Sequence, residues 1–463
     1  MDDVLFGSAT ALARAIRDRE ISAVEAVTAH LDRIEAVNPA LNAVVQLASE
    51  RALEEAEAAD RALAAGGDLG PLHGLPITLK DSLDTAGIVT TWGTVGRRDF
   101  VPEEDAVVVA RLRRAGAIVL GKTNTPELTL GCDMENAVYG ATYNPHDTAL
   151  SPSGSSGGAA AIVAAGGSPL DIGSDTGGSI RAPAHVCGIA GIKPTAGRTP
   201  RSGHAVPYGL GAVDGLTVLG PLARFVEDLW LALPIICGPD WRDPAVPPIP
   251  LDDPGNVTLG GLRVAVYSDG GLSPPMPEIE LAVQAGAAAL AARGAIVEEA
   301  APPVLAQAAD LHPWLNVANG RDWLRRRLAE ASTAEPSAAT ARLLAEEAEL
   351  QAPSLAVMLE QLDQFRSAML RFIESYDAIL CPPDCFAALP HGAAETLDKH
   401  RVWGHLYAYN LTGWPAAVVP AGMTDEGLPI GLQIVGRPWR EDVVLAVAAA
   451  IEADLGGYRR PAI

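Results

Sequence analysis

Apolar residues recur at three- and four-residue spacing from Ser8 to about Ala65, with few β-branched runs, and this pattern predicts helices. Ser22 and Glu25 have the spacing of a capping box at the start of a second helix, and Asn38-Pro39 is expected to break it before a third. Three helices are therefore expected ahead of any strand, as a layer over the rest of the chain. From Gly70 the pattern changes. Glycine and proline punctuate GPLHGLPITLKDSLDTAG, in which Leu75 to Leu79 form a short apolar strand candidate ending at Lys80. A helix is predicted over Ala106 to Ala115, a strand over Ala117 to Leu120, and a further helix start at Thr125-Pro126. The alanine-rich run Ala159 to Ala165 reads as a closely packed helix, and Leu170 to Ser174 as a buried strand.

Past Thr195 the chain is glycine-rich to Gly220, with Arg198 and Arg201 placed in loops, before a helix over Arg224 to Ile236. The proline-rich run Asp240 to Pro254 reads as a long surface connection. Leu262 to Tyr267, Pro277 to Arg293 and Ala295 to Glu299 follow as strand, helix and strand, a crossover unit that favours a parallel pair. Leu311 to Gln364 is largely helical, with Arg325, Arg326 and Arg327 read as a solvated helix face. Tyr376 to Cys381 is a strand, Ala416 to Pro420 and Ile430 to Val435 a hairpin-like pair, and Glu441 to Ala453 a last helix. The order describes one α/β body without internal repeats.

Composition narrows the function. The chain has 463 residues, 48% hydrophobic and 20% charged, enough for a large core. A net charge of -23 argues against a surface that neutralises phosphates, so no nucleic-acid partner is expected. The amino terminus lacks a basic segment followed by an apolar one, and no run of apolar residues is long enough to span a bilayer; a soluble cytoplasmic protein without membrane association is expected. Five scattered cysteines fit a reducing compartment. Cys381 and Cys385 are the one close pair, read as packing residues since no second pair or histidine cluster accompanies them.

Two glycine-serine clusters carry the candidate chemistry. Ser153, Gly154, Ser155, Ser156, Gly157 and Gly158 precede the alanine helix; Thr176, Gly177, Gly178 and Ser179 follow the strand after it. Such clusters are either flexible loops or turns whose amides approach a reacting atom. A serine nucleophile needs a proton acceptor, and none of the nine histidines lies in a G-x-S-x-G elbow. Lys80 is the other route. It is either a snorkelling lysine or an amine whose pKa desolvation lowers until it can accept a proton. A nucleotide-binding loop is disfavoured, because Ser155 to Ala160 lacks the lysine and spacing of a phosphate loop.

The motifs GPLHGLPITLKD, NAVYGATYNPHD, PSGSSGGAAA, GSDTGGSIRAPAHVCGIAGIKPT and GLPIGLQIVGRP resemble those of the amidase signature family over most of the chain. The resemblance implies one domain over 1–463 (an amino-terminal helical layer to 65, a signature core over 70–220, the remainder of the same body after it) with a large mixed, mostly parallel sheet covered by helices on both faces. It implies a catalytic triad of Lys80 as base, Ser155 as a serine preceded by a cis peptide, and Ser179 as nucleophile. The amides of Thr176, Gly177, Gly178 and Ser179 are implied as the oxyanion hole, with Ser156, Asp175 and Arg181 in support, and no metal or organic cofactor. The chain departs from the family pattern at Ser153-Gly154, where two glycines are usual, and at Ala159, where serine is common. The implied reaction is hydrolysis of small amides, and of carbamates and esters, in a monomer or homodimer. The alternative is the A-type subunit of a glutamine-dependent aminoacyl-tRNA amidotransferase, although its arginine-bearing motif has no counterpart between Asp310 and Gln364. Substrate choice falls to segments outside the motifs, with Cys132 to Val138, Gly203 to Leu210 and Trp314 to Trp323 as candidates.

Overall fold

The computed structural model describes residues 2–67, 69–211, 214–318, 321–346 and 354–463. Its strands are β1 (Val44–Leu47), β2 (Pro76–Lys80), β3 (Ile118–Thr123), β4 (Glu135–Asn136), β5 (Gly140–Ala141), β6 (Leu170–Asp175) and β7 (Ala190–Lys193). They continue with β8 (Val218–Ala223), β9 (Arg263–Val266), β10 (Ile296–Glu299), β11 (Ala378–Cys381), β12 (Ala416–Met423) and β13 (Pro429–Gly436). Eleven of them form one sheet in the order β1-β3-β2-β6-β8-β7-β12-β13-β11-β9-β10, and β4 pairs with β5 alone.

Period-two alternation divides the sheet's side chains between two sides. Ile77, Leu79, Val264, Leu380, Val419, Leu432 and Ile434 enter one large core, under the helices Ala23–Leu41, Val226–Ile236, Pro277–Ala292 and Glu441–Leu455. Their neighbours Ala265, Ile379, Cys381, Ala416 and Val435 enter a second core with the helices Ala308–Ala318, Asp322–Glu330, Leu355–Ile373 and Gly404–Leu411. A smaller cluster on Val418 packs the helices Gly157–Ala164 and Arg181–Cys187. The expected α/β body with a large mixed sheet is what forms. The parallel pairings lie in two blocks, β3-β2-β6 and β11-β9-β10, and the strands between them run antiparallel. The mostly parallel character thus belongs to those two blocks rather than to the whole sheet, since only there do helical crossovers join neighbouring strands.

Several expectations are corrected. The Ala23–Leu41 helix runs through Pro39 and stops at Asn42, at φ 48°. Pro39 lies in the last turn, so its missing N–H removes one helical bond with only Ala40 and Leu41 still to follow, and the Asn38 side chain accepts from the amides of Ala43 and Val44 to hold the chain after it. Three helices, Asp2–Phe6, Ala9–Arg17 and Ala23–Leu41, do precede β1, but the third of the helices expected between Ser8 and Ala65, Ser49–Ala64, comes after that strand rather than ahead of it. Thr125-Pro126 starts no α-helix: a three-residue turn, Glu127–Thr129, ends there because Leu128 and Thr129 take φ of 50° and 63°. Strand β7 forms where no element is expected, and β8 begins at Val218, inside the end of the stretch read as glycine-rich. Arg327 turns inward, its guanidinium 4.4 Å over the Trp92 ring and Nε donating to Ala205 O, while Arg325 and Arg326 stay exposed. The helical stretch Leu311 to Gln364 is otherwise observed as helices, with residues 319–320 and 347–353 outside the described residues. Among the described residues no helix is long and apolar enough to cross a membrane.

Candidate active site

Strand β2 sends Ile77 and Leu79 into the large core, so alternation turns Thr78 and Lys80 to the opposite side. Lys80 is fully buried there. Its Nζ lies 2.7 Å from Ser155 Oγ, 2.9 Å from Ser156 Oγ and 3.0 Å from Ser174 Oγ. All three partners are hydroxyls, which can donate as well as accept. Burial pushes the Lys80 pKa well below the ordinary lysine value, opposed only in part by the charges of Asp175 and Asp171.

Ser155 and Ser156 lie on the turn into the Gly157–Ala164 helix, and the Gly154–Ser155 peptide is cis. Ser156 braces this turn against β6: its hydroxyl donates to Ser174 O at 3.2 Å and accepts from Ser174 N–H at 3.3 Å. Gly173 makes room for it, since a Cβ there would sit 2.7 Å from Ser156 Oγ. The Ser156 amide donates to Ser179 O at 3.2 Å, which joins the two glycine-serine clusters. Exposure rises along the series: Lys80 is sealed, Ser155 is 1% exposed, and Ser179 is half-buried.

The second cluster turns around Asp175 at the end of β6. Its carboxylate accepts from Gly178 N–H at 2.8 Å and Ile180 N–H at 3.2 Å. Arg181 meets it with two parallel hydrogen bonds, Nε to Oδ2 and Nη2 to Oδ1, both at 3.0 Å, in a fully buried ion pair. Burial pushes the Asp175 carboxyl up, but Arg181, with Lys193 and Asn410 behind it, holds it well below the usual carboxylate range. Asp175 and Arg181 thus fold the turn rather than face the cleft. Of the four amides expected from the sequence as the oxyanion hole, that of Gly178 is committed to Asp175.

Sequence reasoning missed several residues around this site. Ser174 is the third partner of Lys80. Gln433 Oε1 and Asn410 Oδ1 accept from Arg181 at 2.7 and 2.6 Å. A glutamine inside the apolar run of β13 was a visible signal, since a polar side chain in a buried strand needs a buried partner. His204 Nδ1 lies 3.0 Å from Val206 N and 3.1 Å from Val206 O, and its Nε2 lies 3.0 Å from Ser82 Oγ. Burial pushes its pKa down to about 3 and keeps it neutral beside Lys80.

Of the three segments expected to line the cleft, Cys132 to Val138 begins against the first cluster: a Cβ on Gly154 would lie 2.9 Å from Gly131 O and 3.1 Å from Cys132 O. Gly203 to Leu210 packs beneath the turn after β2, with Gly203 O accepting from Asp84 N–H at 2.9 Å. Trp314 to Trp323 includes residues 319 and 320, outside the described residues; Leu315 and Trp323 are buried in the second core. Among the described residues no group of three or more His, Cys, Asp or Glu side chains is arranged to hold a metal ion. Cys381 and Cys385 are both buried; Cys381 Sγ accepts from Gln433 Nε2 at 3.3 Å and Cys385 Sγ donates to Ser273 O at 3.2 Å, as packing residues do.

A family model described as Amidase matches residues 25–445. The chain belongs to the amidase family. Amidase relatives include an indoleacetamide hydrolase of Bradyrhizobium diazoefficiens, 38% identical over 97% of this chain and 86% of that one. The A-type subunit of the glutamyl-tRNA(Gln) amidotransferase of Nitratidesulfovibrio vulgaris is 36% identical over 98% of both chains. The crystal structure of a bacterial aryl acylamidase of the amidase signature enzymes superposes with a TM-score of 0.85 at 27% identity, over 96% of each chain. The relatives of this chain in the amidase family thus include both amide hydrolases and an amidotransferase subunit.

Proposed function

We propose that the protein is a serine hydrolase that cleaves amide bonds through an acyl-enzyme on Ser179, with Ser155 relaying the proton and Lys80 as base. One observation carries the reading: a fully buried lysine in hydrogen-bond contact with three serine hydroxyls and a pKa driven far down by burial. An ammonium donates three hydrogen bonds; the neutral amine donates two and accepts one. The shortest contact, to Ser155, is the one through which the neutral amine takes a proton.

In the proposed cycle Ser155 passes its proton to Lys80 Nζ and takes that of Ser179 as Ser179 Oγ bonds to the substrate carbonyl carbon. The amides of Thr176, Gly177 and Ser179 receive the oxyanion. Collapse breaks the C–N bond, and the relay protonates the departing amine. Water, deprotonated along the same relay, then releases the acid. Ser156 keeps Ser155 in register, and Asp175 with Arg181 shapes the turn. The cycle uses no metal and no organic cofactor. The acyl transfer extends to carbamates and esters, whose carbonyls present the same electrophile.

The names of the relatives suggest aryl and arylacetyl amides as first substrates. A panel of indole-3-acetamide, aryl anilides, an aryl carbamate and glutamine, run with and without a chelator, tests the reading. Turnover of an amide that survives chelation and disappears in Ser179→Ala supports it; turnover restored only by added zinc contradicts it. The amidotransferase relative, at 36% identity over nearly the whole chain, favours a second reading, in which glutamine is the amide and the chain acts with partner proteins. Glutaminase activity that appears only on adding such partners decides for it.

A further inference from the structure

The oxyanion turn is touched from outside by two aromatic rings that no motif includes. His312, on the helix Ala308–Ala318, lies 3.0 Å through Nε2 from Thr176 O. A carbonyl only accepts, so Nε2 carries the hydrogen and donates it. The His312 ring stacks on Tyr407 of the Gly404–Leu411 helix, centroids 4.0 Å apart and planes within 3°. Both press on Gly177, where a Cβ would lie 3.0 Å from Tyr407 Cε1 and 3.1 Å from His312 Cε1. His312 is 8% exposed, so its bond to Thr176 is shielded from competing water.

The Thr176 carbonyl and the Gly177 amide belong to one peptide unit. The Gly154–Ser155 bond is the cis peptide among the described residues, so the Thr176–Gly177 unit is trans, and its N–H points away from its C=O. A donor that holds the carbonyl on one side therefore aims the Gly177 N–H to the other. Without it the unit can turn about Thr176 ψ and Gly177 φ, the second of which no side chain on Gly177 restricts. Elsewhere the turn is tethered on its own side chains, by Asp175 to Gly178 N–H and by Thr176 Oγ1 to Thr217 Oγ1 at 2.9 Å, and neither tether touches this peptide's carbonyl or amide.

We infer that His312 is a positioning residue that, by hydrogen-bonding Thr176 O while stacked on Tyr407, orients the Gly177 amide toward the oxyanion. The inference rests on the reading of Ser179 as nucleophile. It places the oxyanion hole under the control of the second core's helices, which carry no part of the triad.

Saturation kinetics of a fluorophosphonate probe test it without knowledge of the natural substrate. Ser179 Oγ bonds to phosphorus, fluoride leaves, the serine proton passes to the relay, and the phosphoryl oxygen draws on the same amides. His312→Phe keeps a ring on Tyr407 and removes the donor; His312→Gln keeps a donor of similar reach; His312→Asn keeps the amide but shortens it. Removing an oxyanion donor outright costs roughly 100- to 1000-fold, and misaiming one is expected to slow the limiting inactivation rate by about 10- to 100-fold in H312F and H312N. The half-saturating probe concentration should stay within about threefold, and H312Q should recover most of the wild-type rate. The inference is overturned if H312F reacts at the wild-type rate, if H312Q falls as far as H312N, or if the loss lies in half-saturation. The Asn–Gln pair carries the test should H312F not fold. A wild-type protein that takes no probe, or Ser179→Ala that does, overturns the underlying reading itself, and the inference with it.

Discussion

Lys80 closes β2, and Lys122 lies one position before the end of the neighbouring parallel strand β3, with Leu79 opposite Lys122 and Lys80 opposite Thr123. Both lysines are fully buried, and burial lowers both pKa values. Their surroundings differ. Lys80 meets three serine hydroxyls. Lys122 donates to the Leu83 carbonyl, in a short contact, and to Thr85 Oγ1 and Thr90 Oγ1 at 2.8 and 3.3 Å. Burial alone does not make a lysine a base. Lys122 spends one contact on a carbonyl, which has no proton to give, and Asp81 and Asp84 bring its pKa back to about 8, whereas Asp175 and Asp171 leave that of Lys80 well below the ordinary value.

The largest effect is expected from removing what the Lys80 pocket serves. Ser179→Ala is expected to lower kcat by roughly 10⁴- to 10⁶-fold, with thermal unfolding unchanged. Wild-type turnover in that variant would remove the reason for the Lys80 pocket. Next, Lys80→Met should cost about 10²- to 10⁴-fold in kcat, the range of general base catalysis, while Lys122→Met, measured on the folded fraction, should leave kcat near wild type. Equal losses from the two substitutions would contradict the assignment of separate roles.

The pH dependence sharpens the same contrast. In the proposed cycle neutral Lys80 is the active form, so kcat/KM should rise with pH through its ionisation, well below 10.5, and this limb should vanish in K80M but persist in K122M. Stability should depend on Lys122 instead. Between about 8, the folded value for Lys122, and 10.5, its ordinary one, the unfolded chain holds that proton more tightly than the folded chain. Folding therefore gains stability as pH rises through that window. Urea unfolding at pH 8 and pH 10 should show part of this gain missing in K122M. The smallest effect expected is on K122M at pH 8, a loss of roughly 1–3 kcal/mol from unpaired acceptors, offset in part by no longer burying a charge.

The contrast also explains what could be read in the sequence. Lys80 stood out because it ends a strand of apolar residues between glycines and prolines, and the serine clusters because two of them follow one another across a helix and a strand. Lys122, at GKT after an equally apolar run, carried the same signal without a motif that distinguished its role. Strands β7 and β8 were hidden because Gly191, Gly220 and Pro221 lower strand propensity; their small side chains let neighbouring backbone approach, as a Cβ at Gly220 would lie 2.1 Å from Ile192 O. Helix Ala23–Leu41 outran its proline because the penalty falls in a terminal turn. His312 was invisible for a different reason: its partner is a backbone carbonyl 136 residues away, and nothing local in a helix marks a side chain for such a bond. Spacing reveals residues that meet within one motif and is silent on those that tertiary packing brings together.

The central claim is that Ser179, served by Lys80 through Ser155, carries the acyl group. It is tested most directly by acid-quenching the enzyme during turnover of an aryl ester or anilide and locating the adduct by peptide mass mapping. The account predicts the acyl group on the Ser179 peptide in the wild type and none on Ser179→Ala. An adduct on Ser155 or Cys132, or full turnover by Ser179→Ala, would contradict it.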